Sequence, residues 1–256
     1  MRLLKRDDKG GFFLTDFDGA DIPPYAILSH TWGPEEVTFK DLTDRTGLIK
    51  RGYEKIRFCS EQATRDGLGH FWVDTCCIDK SSSAELTKAI NSMFRWYRHA
   101  DKCYAYLADA SMPPCPTSDE TRDETQPWAL AFQKSRWFTR GWTLQELFAP
   151  TSVEFFSREG IRLGNKESLA RLICNATGIP VKAFQGSPLL DYSETERMAW
   201  AEGRETKEEE DKAYSLLGIF DVQMPLIYGE GRESAFRRLR EEIAKARKGK
   251  SVRLFT

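Results

Sequence analysis

Apolar and amphipathic stretches alternate along the first half of the chain. "PPYAILSHTWG" holds a β-prone run, YAILS, between a Pro-Pro stop and a break at Gly33-Pro34, the pattern of a short buried strand ending in a loop. From about Tyr53 the apolar residues Ile56, Cys59 and Ala63 recur at helical spacing until Gly67 and Gly69 end the pattern. A second buried run, "HFWVDTCCID", leads into "DKSSSAEL", whose serines precede Glu85 as at a helix N-terminus. The helix "AELTKAINSMFRWYRHA" sets Leu86, Ile90, Met93, Phe94 and Tyr97 on one stripe, and "KCYAYLAD" reads as a third strand. This alternation predicts an α/β fold with a parallel sheet covered on both faces.

Residues 111–126, "SMPPCPTSDETRDETQ", are proline-rich and then acidic, and predict an exposed loop inserted in the core. "SRWFTRGWTLQELFAP" reads as helical from about Phe138 or Gly141 to Phe148, stopped by Pro150. "TSVEFFS" and "REGIRLG" predict a hairpin turning at Arg158-Glu159-Gly160. From Asn165 short helical patterns dominate, closing on a charged rod with Phe236, Leu239 and Ile243 on a narrow apolar face. The expected organisation is an α/β core over residues 1–157 and a mostly helical extension over 158–256 packed on it, with no internal repeat.

Composition narrows this picture. With 40% hydrophobic residues the chain can bury a substantial core, and a formal charge of -1 provides no global field for nucleic acid or anionic lipid. No window reaches the ~18 continuous apolar residues of a membrane span, and "MRLLKRDDKGG" lacks the apolar segment of a leader, so the expected location is cytoplasmic. Six cysteines without a C-x-x-C pair and three histidines without ligand spacing point to reduced thiols and no structural metal.

In doubly wound sheets ligands bind beyond the carboxyl ends of the strands. Three polar clusters fall at such ends: Ser29, His30, Thr31, Trp32 and Gly33 after the first strand, Asp74 with Asp79 and Lys80 after the second, and Trp142 with Glu146 on the later helix. Trp142 and Glu146 are four positions apart and share a helix face, so an indole can desolvate the acid and offer a stacking surface. The other reading makes Trp142, Leu144 and Leu147 core residues and Glu146 a capping or ion-paired acid, with Arg140 or Arg136 as partner. Asp74 and Asp79 read equally well as loop caps. Cys76 or Cys77 with His30 is a conceivable nucleophile and base, but cysteines in an apolar strand are inert packing. Phosphate-loop, G-x-G-x-x-G and G-x-S-x-G motifs are absent from the sequence.

"YAILSHTWG", "FWVDTCCIDKSSSAELTKAINSMFRWYRHADKCYAYLAD", "SRWFTRGWTLQELFAP" and "DKAYSLLGIFDVQMPLIYGEG" resemble, in this order, the blocks of the fungal heterokaryon-incompatibility (HET) domain. The resemblance runs from about Met1 to Ile243 and implies a trigger of programmed cell death after non-self recognition, alone or in NOD-like immune receptors. HET domains are considered distant relatives of the Toll/interleukin-1 receptor (TIR) domain, a flavodoxin-like sheet. "SRWFTRGWTLQEL" is similar to the plant TIR block S-x-W-C-L-x-E-L, which implies Glu146 as the catalytic residue of an NAD⁺ hydrolase and Trp142 as its accompanying ring. The same comparison implies Ser29, His30, Trp32, Gly33, Asp74 and Asp79 as pocket groups, NAD⁺ as substrate with no cofactor, and activity on self-association. A TIR domain would end near the "TSVEFFS" strand, so the last hundred or so residues are an addition to it.

The chemistry suits a lone acid. Nicotinamide leaves NAD⁺ as a neutral pyridine, so no general acid is needed, whereas ordinary glycosidases use two carboxylates. One buried carboxylate can hold the ribose hydroxyls and stabilise an oxocarbenium-like transition state. Two rival expectations stay open: a non-catalytic module that assembles and recruits partners, and an enzyme acting on another nucleotide. The near-neutral charge disfavours nucleic acid as substrate.

Overall fold

Strand β3, Tyr25–His30, is buried at every position and is the hub of the fold. In the computed structural model, which describes residues 1–8, 10–112 and 126–253, it pairs in parallel with β4 (His70–Trp72) on one side and β5 (Lys102–Tyr106) on the other. β5 pairs in parallel with β6 (Val153–Phe156). Antiparallel strands close both edges: β1 (Arg2–Arg6) joins β4 and carries β2 (Phe12–Asp16), and β7 (Arg162–Asn165) joins β6. The sheet order is β2-β1-β4-β3-β5-β6-β7.

The expected parallel core is therefore present within a mixed sheet of seven strands. The run "HFWVDTCCID" contributes only His70–Trp72; Val73 starts a tight turn, in which its carbonyl accepts Cys77 N at 2.8 Å and its N–H reaches Cys77 Sγ at 3.3 Å. That turn ends pairing early and lifts Asp74 to the rim. The N-terminal hairpin has no counterpart in the sequence reading: its first strand has only Leu3 and Leu4 among charged residues, and its second, Phe12–Asp16, has no fully buried position, whereas both leucines are fully buried. Its turn closes with Asp7 N on Gly11 O and with Gly10 at φ +82°, a conformation glycine adopts without strain. The inserted loop expected over 111–126 lies almost wholly outside the described residues.

Side-chain alternation assigns the helices to faces. Leu28, Tyr104 and Phe156 point to the side of α2 (Tyr53–Arg65): the Phe58 ring packs edge-on to Tyr104 and Phe156, and Tyr104 Oη donates to Asp66 Oδ2 at 2.5 Å. α1 (Phe39–Thr43), opened by a Thr38–Asp41 capping box, precedes α2. Tyr25, Ile27, Ser29 and Phe155 point the other way, toward α3 (Ser83–His99), α4 (Pro127–Gln133) and α5 (Thr143–Phe148). There Phe155 meets Phe132, Trp137 and Phe138, and Tyr25 Oη donates to Trp96 O.

After β7 come α6 (Ala170–Thr177), α7 (Val181–Phe184), α8 (Glu194–Ala199), α9 (Asp211–Tyr214), α10 (Leu217–Phe220) and α11 (Arg232–Arg253). Three contacts fasten this region to the core. Glu205 bridges the chain before α5, donating to Thr139 O at 2.6 Å and accepting Gly141 N at 2.9 Å. α10 lies against α3 so tightly that a Cβ on Gly218 would stand 2.2 Å from Phe94 Cβ. The Asn91 side chain both donates to and accepts from the backbone of Met224, each at 3.1 Å.

Candidate functional site

Glu146 lies in the middle of α5, 95% shielded from solvent. The preceding 3₁₀ turn, Arg136–Thr139, is capped by Ser135 and drives the Trp137 ring into the core. Thr143 Oγ1 donates to Trp137 O at 2.5 Å and fixes the junction between the turn and α5. Trp137 Nε1 donates to Ser29 Oγ at 2.8 Å, and Ser29 Oγ donates in turn to Glu146 Oε2. The indole thus determines which way the hydroxyl proton points, and the hydroxyl holds the carboxyl. Trp137 is not singled out in the sequence; its indole donor facing a serine on β3 is a tertiary fact.

Burial raises the pKa of Glu146 to about 8. The Ser29 hydrogen bond opposes this, the Asp74 charge adds to it, and Tyr97 and the Arg204 charge pull it down. Neither Arg136 nor Arg140 pairs with it: among the described residues Glu146 has no cation within 4 Å.

Asp74 organises the next wall. Its Oδ1 lies 2.9 Å from His30 Nε2, its Oδ2 accepts Trp32 Nε1 at 2.8 Å, and Lys80 Nζ is 3.9 Å from Oδ2. Burial alone would raise its pKa, but Lys80, His30 and Trp32 together bring it down to about 2, so this acid stays ionised. Lys80 Nζ also sits 3.5 Å over the Trp32 ring, a cation–π contact that holds the half-exposed indole in place. His30 Nδ1 is buried without a hydrogen-bond partner among the described residues.

The third wall comes from the C-terminal region. Asp211 on α9 is buried; its Oδ2 accepts Trp142 Nε1 at 3.1 Å and its Oδ1 accepts Tyr228 Oη at 3.0 Å. One carboxylate thereby positions two rings, and burial raises its own pKa. These walls enclose a cavity of about 480 Å³ lined by His30, Trp32, Asp74 and Lys80 from the sheet rim, Ile90 and Met93 from α3, Trp142 and Glu146, and Asp211 and Tyr228. Of the residues singled out in the sequence, His30, Trp32, Asp74, Trp142 and Glu146 line it, and Ser29 stands directly behind Glu146. Gly33 and Asp79 do not: Gly33 N donates to Glu36 Oε1 at 2.6 Å, and Asp79 Oδ1 accepts Ser81 N at 3.0 Å in a local turn. Asp211 and Tyr228 fall within the block "DKAYSLLGIFDVQMPLIYGEG" and Arg204 outside every such block, but nothing local separates any of the three from neighbouring charged and aromatic residues.

Among the described residues no cluster of three or more histidine, cysteine or acidic side chains is placed to hold a metal ion. Cys59, Cys76, Cys77 and Cys103 are free and buried, and burial pushes the Cys76 thiol far up, which removes it as a nucleophile. Cys115 lies outside the described residues.

Comparison with known proteins bears on this site. Residues 25–119 match the family model described as "Heterokaryon incompatibility protein (HET)", a span that includes β3, β4, α3 and β5. The chain is 62% identical over 248 residues, 96% of its length, to "Vegetative incompatibility protein HET-E-1" of Podospora anserina, and spans 18% of the length of that relative. No solved structure matches it. The chain belongs to the fungal heterokaryon-incompatibility (HET) family.

Proposed function

We propose that this HET domain is the cell-death effector of a fungal non-self recognition system and that it acts by hydrolysing NAD⁺ at the nicotinamide–ribose bond in the cavity at the sheet rim. The observation that carries the reading is Glu146: a buried carboxyl with no ion-pair partner among the described residues, hydrogen-bonded to Ser29 and forming part of an aromatic-lined cavity. A buried acid left unpaired keeps its proton to a higher pH, and such displaced acids in clefts cluster at functional sites. The order of the four parallel strands, β4-β3-β5-β6, follows the flavodoxin-like pattern and supports the TIR-like part of the reading.

At neutral pH the free site holds Glu146 largely protonated. Entry of the cationic nicotinamide ribosyl group brings a positive charge to the carboxyl and favours its ionised form. As the C1′–N1 bond breaks, its electron pair leaves with neutral nicotinamide, and the carboxylate faces the oxocarbenium-like sugar in a partly dry pocket. Water then bonds to C1′ and releases a proton, which a carboxylate of this basicity can accept. Trp142, Tyr228 and Trp32 supply ring faces for the planar parts of the dinucleotide. Self-association belongs to the same proposal, as does a cytoplasmic site of action and a place for the domain within a longer receptor. No helix among the described residues is long and apolar enough to cross a membrane.

The test is incubation of concentrated protein with NAD⁺ and chromatographic separation of the products. Wild type is expected to release nicotinamide and an ADP-ribose, linear or cyclic, and Glu146→Gln to lose at least a hundredfold in rate while keeping the native circular dichroism. NAD⁺ left intact by assembled wild type, or still consumed by the glutamine variant, would sink the enzymatic reading; cell death retained by that variant would transfer the function to a recruiting module.

A further inference from the structure

A second cavity, of about 660 Å³, shares a wall with the first. Along the chain before and into α5, Arg140, Trp142 and Thr143 line the first cavity and Gly141 lines the second. Along α9 and just beyond it, Asp211 lines the first and Lys212 and Ser215 the second. Four cations converge on this second space, Arg204, Lys212, Arg232 and Arg240, against two carboxylates, Glu202 and Glu233.

Within the described residues none of these four cations has a carboxylate within 4 Å. The contrast lies within one helix: on α11, Arg238 pairs with Glu230 and Arg247 with Glu194 at 3.1 Å, while Arg232 and Arg240 have only the Phe236 ring between them, at 5.7 and 5.8 Å. Arg204 is the most demanding of the four. It is 4% exposed, and its Nε and Nη1 donate to neutral acceptors only, Trp200 O at 3.1 Å, Arg140 O at 2.8 Å and Thr143 Oγ1 at 3.1 Å. Its Nη2 has no hydrogen-bond partner among the described residues. Glu146 acts on Arg204 only through space; a buried cation with no carboxylate in ion-pair range is costly, and a bound anion would offset that cost.

We infer that this second cavity is a binding site for a phosphate-type anion, held by Arg204, Lys212, Arg232 and Arg240. Planar guanidinium forks match phosphate oxygens in pairs, and a concave space walled by four cations suits a small multiply charged anion better than an extended acidic chain. Because Arg204 also binds Arg140 O and Thr143 Oγ1, which lead directly into the Glu146 helix, an anion here would act on the first cavity from behind. The site stands whatever reaction the first cavity performs.

Calorimetric titration of the chain with inorganic pyrophosphate tests it, with ADP as a second probe. Wild type is expected to bind pyrophosphate saturably and more weakly as salt rises. The double variant Arg232→Ala/Arg240→Ala, at two exposed positions, should bind at least tenfold more weakly with unchanged circular dichroism, and Lys40→Ala, outside the cavity, should bind as wild type does. ADP binding more tightly than pyrophosphate, with that binding lost in the double variant, assigns the phosphate of a nucleotide; equal affinities assign a free phosphate anion. Absence of saturable binding at millimolar pyrophosphate, or equal affinity in wild type and double variant, overturns the proposal.

Discussion

Glu146 is held where it is least comfortable as an ion. Its pKa of about 8 stands above the ordinary 4.5, so between these values the folded chain keeps a proton that the unfolded chain has released. Stability from this source is full below about pH 4.5 and is lost as pH rises through about 8. Glu146→Gln, which retains an acceptor for Ser29 and cannot ionise, should therefore melt higher than wild type at pH 8–9 by roughly several degrees and match it near pH 4.5; thermal scans at both pH values check this. Wild-type kcat/KM for NAD⁺ should rise with pH toward an apparent pKa near 8. Ser29→Ala removes the donor that favours the ionised acid and strands the buried Trp137 indole N–H. The expected result is an alkaline displacement of that profile and a loss of about 1–3 kcal/mol in denaturant titration.

Elements deliver these side chains through their ends. The rim exists because β3 and β4 stop at different heights, β4 giving way to the Val73 turn that presents Asp74 to His30 and Trp32. α5 brings Glu146 over Ser29 because the Ser135-capped turn before it is bonded to Asp109, whose Oδ1 accepts Ser135 Oγ at 2.6 Å and whose Oδ2 accepts Arg136 N at 2.8 Å. α3 forms the floor with Ile90 and Met93 and is pressed from outside by α10 at Gly218. Any side chain at 218 collides with the Phe94 ring, so Gly218→Ala should cost about 1–3 kcal/mol in urea unfolding even though alanine favours helix. An unchanged midpoint would show that α10 can back away from α3.

At the scale of the molecule, the C-terminal region completes the cavity. Asp211 ties Trp142 of the core to Tyr228 of the following segment, and Arg204 reaches under α5. Asp211→Ala should release both rings and raise KM for NAD⁺ about tenfold with a smaller fall in kcat, whereas Asp211→Asn, which keeps one carbonyl acceptor, should recover part of the loss. Equal KM values in the two variants would assign Asp211 to folding alone.

Much of this was legible in the residues themselves. Continuous apolar runs at 25–28 and 103–106, and the 3.6-residue stripe through Ile90, Met93 and Tyr97, specify a parallel core because strands buried on both faces and helices buried on one leave distinct periodicities. The same local grammar placed the serine-capped start of α3 and the hairpin of β6 and β7, and the spacing of Trp142 and Glu146 marked a helix that lines the cavity. Local pattern did not reveal that Ser29 is shared between Glu146 and Trp137, 117 and 108 positions away, or that Asp211 faces the Trp142 indole. It also gave no sign of the N-terminal hairpin, whose two leucines become a strand only because β4 presents an unpaired edge. Apart from that hairpin, sequence by itself determined the main elements of the core, through propensity and periodicity, which act over a few residues. Which polar groups meet, how deeply each is buried and hence which proton each holds were decided by tertiary packing alone, because desolvation and charge act through space and are blind to the distance along the chain.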